Sequence, residues 1–158
     1  MFKKLLTTRS LCTSAVIAAL YAALTLLLAP ISYGNLQCRV SEAMTLLPMM
    51  LPSAIPGLFV GCLLANLLGG CTVWDIVFGS LATLLAAIGT YALREKRILA
   101  AACPVISNGV IVGSVLAFVY GLPLWLTMLE VAVGEVGAVV IGFVLLAALK
   151  KADLSKYQ

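Results

Sequence analysis

The chain has 158 residues, 63% of them hydrophobic and only 10% charged, with a formal net charge of +4 and a mean hydropathy of +1.17. A soluble domain carries about 25% charged residues, so this chain cannot cover a water-facing surface, and its solvent is lipid. It has no histidine and its five cysteines form no C-x-x-C pair, which leaves metal ligation, haem attachment and His-based catalysis without support.

Uninterrupted apolar runs of 18 residues or more predict an all-α integral membrane protein in a single membrane domain. A β-barrel needs short alternating segments separated by turns, and none is present. No catalytic residue, metal or cofactor is expected. The basic residues sit where membrane topology places them, so they require no nucleic-acid partner.

Lys3, Lys4 and Arg9 precede the first apolar run, as in a signal peptide. The run from Leu11 to Ala29 is longer than a usual signal core and no A-x-A-like site follows. It reads as a first membrane helix, roughly 11–30. Within it Ala15, Ala19 and Ala23 recur every four residues, with Ala18 and Ala22 as a second row. Small residues at this spacing let another helix approach closely. That helix belongs either to this chain or to a separate membrane subunit.

The stretch "NLQCRVSEAMTLLP" (35–48) places Arg39 and Glu42 three residues apart between two apolar segments. Ser41 is a natural N-cap, and a carboxylate in a first turn meets the positive end of the helix dipole. Glu42 therefore caps its helix beside Arg39, faces a binding cavity, or does both. Pro48, Pro52 and Pro56 break the following stretch, giving one kinked span or two short ones near 42–51 and 53–69.

Lys and Arg collect on the cytoplasmic side of short loops. Six spans place nine basic residues inside and only Arg39 outside, whereas five spans divide them seven to three. Six helices with both termini cytoplasmic are therefore expected. Ten residues of α-helix reach only about 15 Å, half the hydrocarbon core, so the second helix must be buried by protein. Interrupted segments of this kind mark substrate sites in transporters.

Asn66 lies near the outer end of the third helix. The fourth, 74–93, opens on Trp74 and Asp75, and the fifth, 98–120, carries Asn108 beside Ser107 and Gly109. The sixth, 122–149, holds Glu130 and Glu135 about 12 and 20 Å below its outer end. Each charge there costs about 2.5–3.5 kcal/mol, so both should face protein or a cavity. Five residues put them about 140° apart around the helix, so they need not share a face. Two buried acids without an adjacent base suit a cationic ligand, a held proton, or hydrogen bonds to a neighbouring helix. Tyr33, Trp74 and Trp125 fit an interfacial belt or a stacking wall for a flat ligand. Cys38 and Cys71 could pair across a loop; the other cysteines read as packing residues.

The blocks "ISYGNLQCRVSEAMTLLPMMLPSAIPGLFVGCLLANLLGG" and "WDIVFGSLATLLAA" resemble the QueT family of queuosine-precursor transporters, with likeness over nearly the whole chain. The resemblance implies a substrate-binding (S) component of an energy-coupling factor importer in a bacterial plasma membrane. It implies six helices with a short second one, and a loop between helices 1 and 2 that covers the substrate. The ligand would be a 7-deazaguanine such as queuine or a pre-queuosine base. The partners would be a coupling transmembrane subunit, docked on Ala15, Ala19 and Ala23, and two cytoplasmic ATPases. No G-x-x-x-x-G-K-[ST] motif occurs in the chain itself. A carboxylate can accept the paired N–H groups of a guanine edge as a bidentate contact. The residues expected at the substrate are Tyr33, Arg39, Glu42, Asn66, Trp74, Asp75, Asn108, Glu130 and Glu135. Three other readings stay open: an S component for another flat vitamin, a stand-alone proton-coupled transporter using Glu130 and Glu135, and a scaffold without a ligand.

Overall fold

A computed structural model describes residues 7–32 and 39–151. Among these there are six principal helices and no strand. Helix α1 (Thr8–Leu27) starts before the expected boundary because the Thr7 hydroxyl accepts from Ser10 N at 3.4 Å and caps it. A one-turn extension follows at Ala29–Ser32. Helix α2 spans Val40–Met49, α3 Ala54–Leu68, α4 Asp75–Ala92, α5 Arg97–Tyr120 and α6 Leu124–Lys151. Four of them, α1, α4, α5 and α6, are long and apolar enough to cross a membrane, and α3 is a shorter apolar helix. Tyr33 and Cys38 lie outside the described residues, as does most of the loop expected to cover the substrate. Cys71 Sγ sits 3.9 Å from Asn66 Oδ1.

The second helix differs from expectation in kind. It is a 3₁₀ helix throughout, and it contains Pro48. At about 2.0 Å per residue its ten residues reach about 20 Å rather than 15. Nor is Ser41 its cap: Arg39 holds the N-cap position without a side-chain capping bond. The Ser41 hydroxyl instead shares a 2.7 Å hydrogen bond with Thr25 of α1. With three residues per turn, positions three apart eclipse, so Glu42, Thr45 and Pro48 form one row, with Arg39 at the N-cap before it.

Packing explains how so short a helix survives in lipid. Helices α1, α3, α4, α5 and α6 pack in succession, and α2 lies among them, touching all five. Every residue from Ser41 to Pro48 is buried. Glycine permits the closest approach: a Cβ on Gly142 of α6 would lie 2.6 Å from the Ala43 carbonyl. Helix α1 meets α3 in the same way, since a Cβ on Gly61 would lie 2.8 Å from Tyr21 Cβ. Consequently Ile17, Ala18, Tyr21 and Ala22 are buried, while Ala15, Ala19 and Ala23 are exposed on the opposite face. The second alanine row makes the internal contact and the first faces outward. Large apolar side chains such as Leu20, Leu85, Val110, Val136 and Val144 are exposed around the bundle, as a lipid-facing surface requires.

Candidate functional site

Four helices converge on one small cavity in the middle of the bundle. Its walls are Glu42 of α2 with Arg39 at the N-cap of that helix, Gly79 and Thr83 from α4, Asn108 and Val112 from α5, and Val131 and Glu135 from α6. Each of the three long helices contributes a pair four residues apart, the spacing that puts two side chains on one face. Gly79 ends the π-helical turn Asp75–Gly79 that opens α4. Such turns are rare and collect at functional sites. Its volume is about 10 Å³, about what a single water molecule needs, so it has no room for a base as it stands.

The hydrogen bonds divide each carboxylate into an anchored and an offered oxygen. Glu42 Oε1 accepts from the Tyr21 hydroxyl of α1 and from Thr83 Oγ1 of α4 at 3.0 Å. Glu135 Oε1 accepts from Asn108 Nδ2 at 2.9 Å. Glu42 Oε2, Glu135 Oε2 and Asn108 Oδ1 are buried with no hydrogen-bond partner among the described residues. Buried polar groups are nearly always paired. Three acceptors without a protein partner on residues lining one cavity suit ordered water or a ligand rich in N–H donors. The guanidinium of Arg39 is buried in the same wall, with Nη1 3.8 Å from Cys62 Sγ.

Around this site the remaining expected residues separate into distinct groups. Asn66 and Asp75 are buried but belong to a neighbouring cluster, where Asn66 Nδ2 donates to the Asp75 carbonyl at 3.2 Å, tying α3 to the π turn. The Thr72 hydroxyl donates to Asp75 Oδ2 at 2.8 Å and accepts from Asp75 N at 3.3 Å, so Thr72 and Asp75 together open α4. Glu130 is half-buried and outside the cavity lining. Trp74 is also outside it: its ring is half exposed and stacks on Phe78 with centroids 5.9 Å apart. Glu42 makes no side-chain bond to its own helix backbone among the described contacts, so its carboxylate does not act as a cap.

The two hydroxyls that anchor Glu42 are not among the residues expected from the sequence, nor are Gly79, Val112 and Val131 of the cavity wall. Tyr21 and Thr83 carry no charge and sit in ordinary apolar helices, so neither raises an energetic alarm. A signal for Tyr21 did exist: it lies two positions from both Ala19 and Ala23, about 200° around a helix, and so points inward when the alanine strip points out. Ser107, beside Asn108, turns to the α4 backbone and donates to Ala82 O at 2.9 Å, holding α5 against the wall that bears Thr83.

An all-helical bundle with four helices long and apolar enough to cross a membrane defines a multi-pass membrane protein. The chain belongs to the QueT transporter family, whose sequence profile matches residues 11–151. It is 38% identical over 80 residues to the queuosine precursor transporter QueT of Lactococcus lactis subsp. cremoris (strain MG1363). That match covers 49% of this chain and 47% of the relative, so the chain spans about half the length of the curated relative it matches. No solved structure matches the chain.

Proposed function

We propose that this chain is the substrate-binding membrane subunit of an energy-coupling factor importer for a queuosine precursor, a 7-deazaguanine such as queuine or a pre-queuosine base. The observation that carries the reading is the trio of unpaired acceptors, Glu42 Oε2, Asn108 Oδ1 and Glu135 Oε2, around one cavity. The edge of a deazaguanine presents a ring N–H and an exocyclic NH₂ side by side. Charge-assisted bonds from these groups to a buried carboxylate are about twice as strong as neutral ones. The name of the Lactococcus relative supports the same substrate class.

On this reading Arg39 and Glu42 form one side of the binding site and Asn108 with Glu135 the other. Asn66 and Asp75 hold the π turn that positions Gly79. The exposed strip Ala15, Ala19 and Ala23 offers a flat surface for a coupling transmembrane subunit, which two cytoplasmic ATPases would drive. Both termini face the cytoplasm of a bacterial cell and the protein resides in its plasma membrane, the orientation supported by the clusters at Arg94, Lys96 and Arg97 and at Lys150 and Lys151. Calorimetric titration of the purified protein tests the substrate: queuine or a pre-queuosine base should bind, and thiamin and riboflavin should not. Binding of either vitamin with no response to deazaguanines would overturn the assignment.

A further inference from the structure

We propose that the cavity selects a cationic ligand and that Glu135, rather than Glu42, receives its ammonium group; this rests on the deazaguanine reading above and narrows it. The described cavity walls carry two carboxylates but one cation, Arg39. Arg39 holds the N-cap of the helix that carries Glu42, three residues before it, and Glu42 also draws hydroxyl donors from two helices. Glu42 is thus supplied with a positive neighbour and with donors.

Glu135 is supplied with far less. It is 4% exposed, on a helix that runs from Leu124 to Lys151, and the hydrogen bond it receives comes from the neutral amide of Asn108. The ionisable groups facing it across the cavity are Arg39 and Glu42, both from α2, while α5 presents Asn108 and α4 presents Thr83. The lysines of its own helix, Lys150 and Lys151, are about 22 Å away along the axis. A buried carboxylate without its own counter-charge is unfavourable in a low-dielectric interior. A ligand that brings the positive charge supplies what the fold leaves out. The donor edge of the base then falls to Glu42, and a protonated amine on the ring substituent falls to Glu135.

The test compares two 7-deazaguanines that differ at the substituent, a 7-aminomethyl base and its neutral 7-cyano counterpart, by calorimetric titration of the purified full chain. The aminomethyl base should bind at least about tenfold more tightly, the lower end of what one charge-assisted contact gives. In Glu135→Gln that ratio should collapse to near unity. In Glu42→Gln both ligands should weaken while the ratio persists. Asn108→Ser, which releases Glu135 Oε1 but keeps the charge, should shrink the ratio without abolishing it. Equal binding of the two bases by the unmodified protein overturns the inference and needs no variant to fold. So does a ratio that survives Glu135→Gln and collapses in Glu42→Gln. Both results leave the deazaguanine reading standing; failure of both bases to bind removes that reading and this inference together.

Discussion

Removing one hydroxyl isolates the anchoring of Glu42 from its charge. In Tyr21→Phe the ring still fills a position with no solvent exposure, and only the donor to Glu42 Oε1 is lost. Glu42 retains Thr83 Oγ1 at 3.0 Å, so the carboxylate stays partly held. A hydrogen bond to a charged group contributes about 1.5–3 kcal/mol, and the ligand-free protein should lose about that much stability. A thermal melt in detergent reads this as a drop of several degrees. Ligand affinity should fall less, by about 3- to 10-fold, because the charge remains and only its aim loosens. Thr83→Val should act similarly. Since both hydroxyls serve one oxygen, the double variant should depart from additivity by about 0.5–3 kcal/mol. A Tyr21→Phe protein that melts and binds like wild type, or a strictly additive pair, would refute the anchored-oxygen account.

Three further outcomes follow from the same contacts. Glu42→Gln keeps an acceptor for Tyr21 and Thr83 but turns an amide donor toward a donor-rich ligand, so affinity should fall about 10- to 150-fold; calorimetry checks it, and an early-melting variant with unchanged affinity would make Glu42 structural only. Ala19→Trp adds bulk to an exposed strip away from the cavity, so cellular uptake of the labelled base should stop while binding by the purified protein persists; normal uptake would remove the docking role. Gly61→Val must displace Tyr21 or the Ala18 carbonyl, which would stand 2.8 and 2.9 Å from the new Cβ. Overpacking costs about 1–3 kcal/mol, and since α1 carries Tyr21, the melt and the affinity should decline together.

Much of this site could be found from the sequence because charge is expensive in lipid. Arg39, Glu42, Asn108 and Glu135 drew notice as polar groups in apolar runs, and all four line the cavity. The same logic could not rank Glu130 against Glu135, because their angular separation says only that they face apart. The inward face of α6 is written in smaller letters: Gly134, Ala138 and Gly142 repeat every four residues beside Glu135, and all are buried. Helix α2 was harder. A segment buried on every side has no amphipathic stripe, so its ten residues do not reveal whether they turn every 3.6 or every three. Tyr21 and Thr83 stayed hidden for the opposite reason, since a lone hydroxyl in a membrane helix can satisfy itself locally, as Thr25 does with the Tyr21 carbonyl at 2.8 Å.

The anchored and offered oxygens also tie stability to function. Leaving a buried acceptor unpaired costs about 1–3 kcal/mol, and three such atoms line one cavity. Water can offset part of this, at an entropic cost of up to about 2 kcal/mol for each molecule immobilised. A fold optimised only for stability would have closed these gaps with apolar side chains, as Val112 and Val131 do on the adjoining walls. Instead hydroxyl and amide donors from α1, α4 and α5 satisfy one oxygen of each carboxylate and leave the other bare. The arrangement holds the carboxylates in place before a ligand arrives, so little side-chain entropy remains to be lost on binding. A cavity of about 10 Å³ adds the converse demand, that the walls separate to admit a base. Helix α2 touches all five neighbours and is buried from Ser41 to Pro48, so it shifts only if they shift with it. A ligand that moves the helix presenting Glu42 must therefore move the bundle around it.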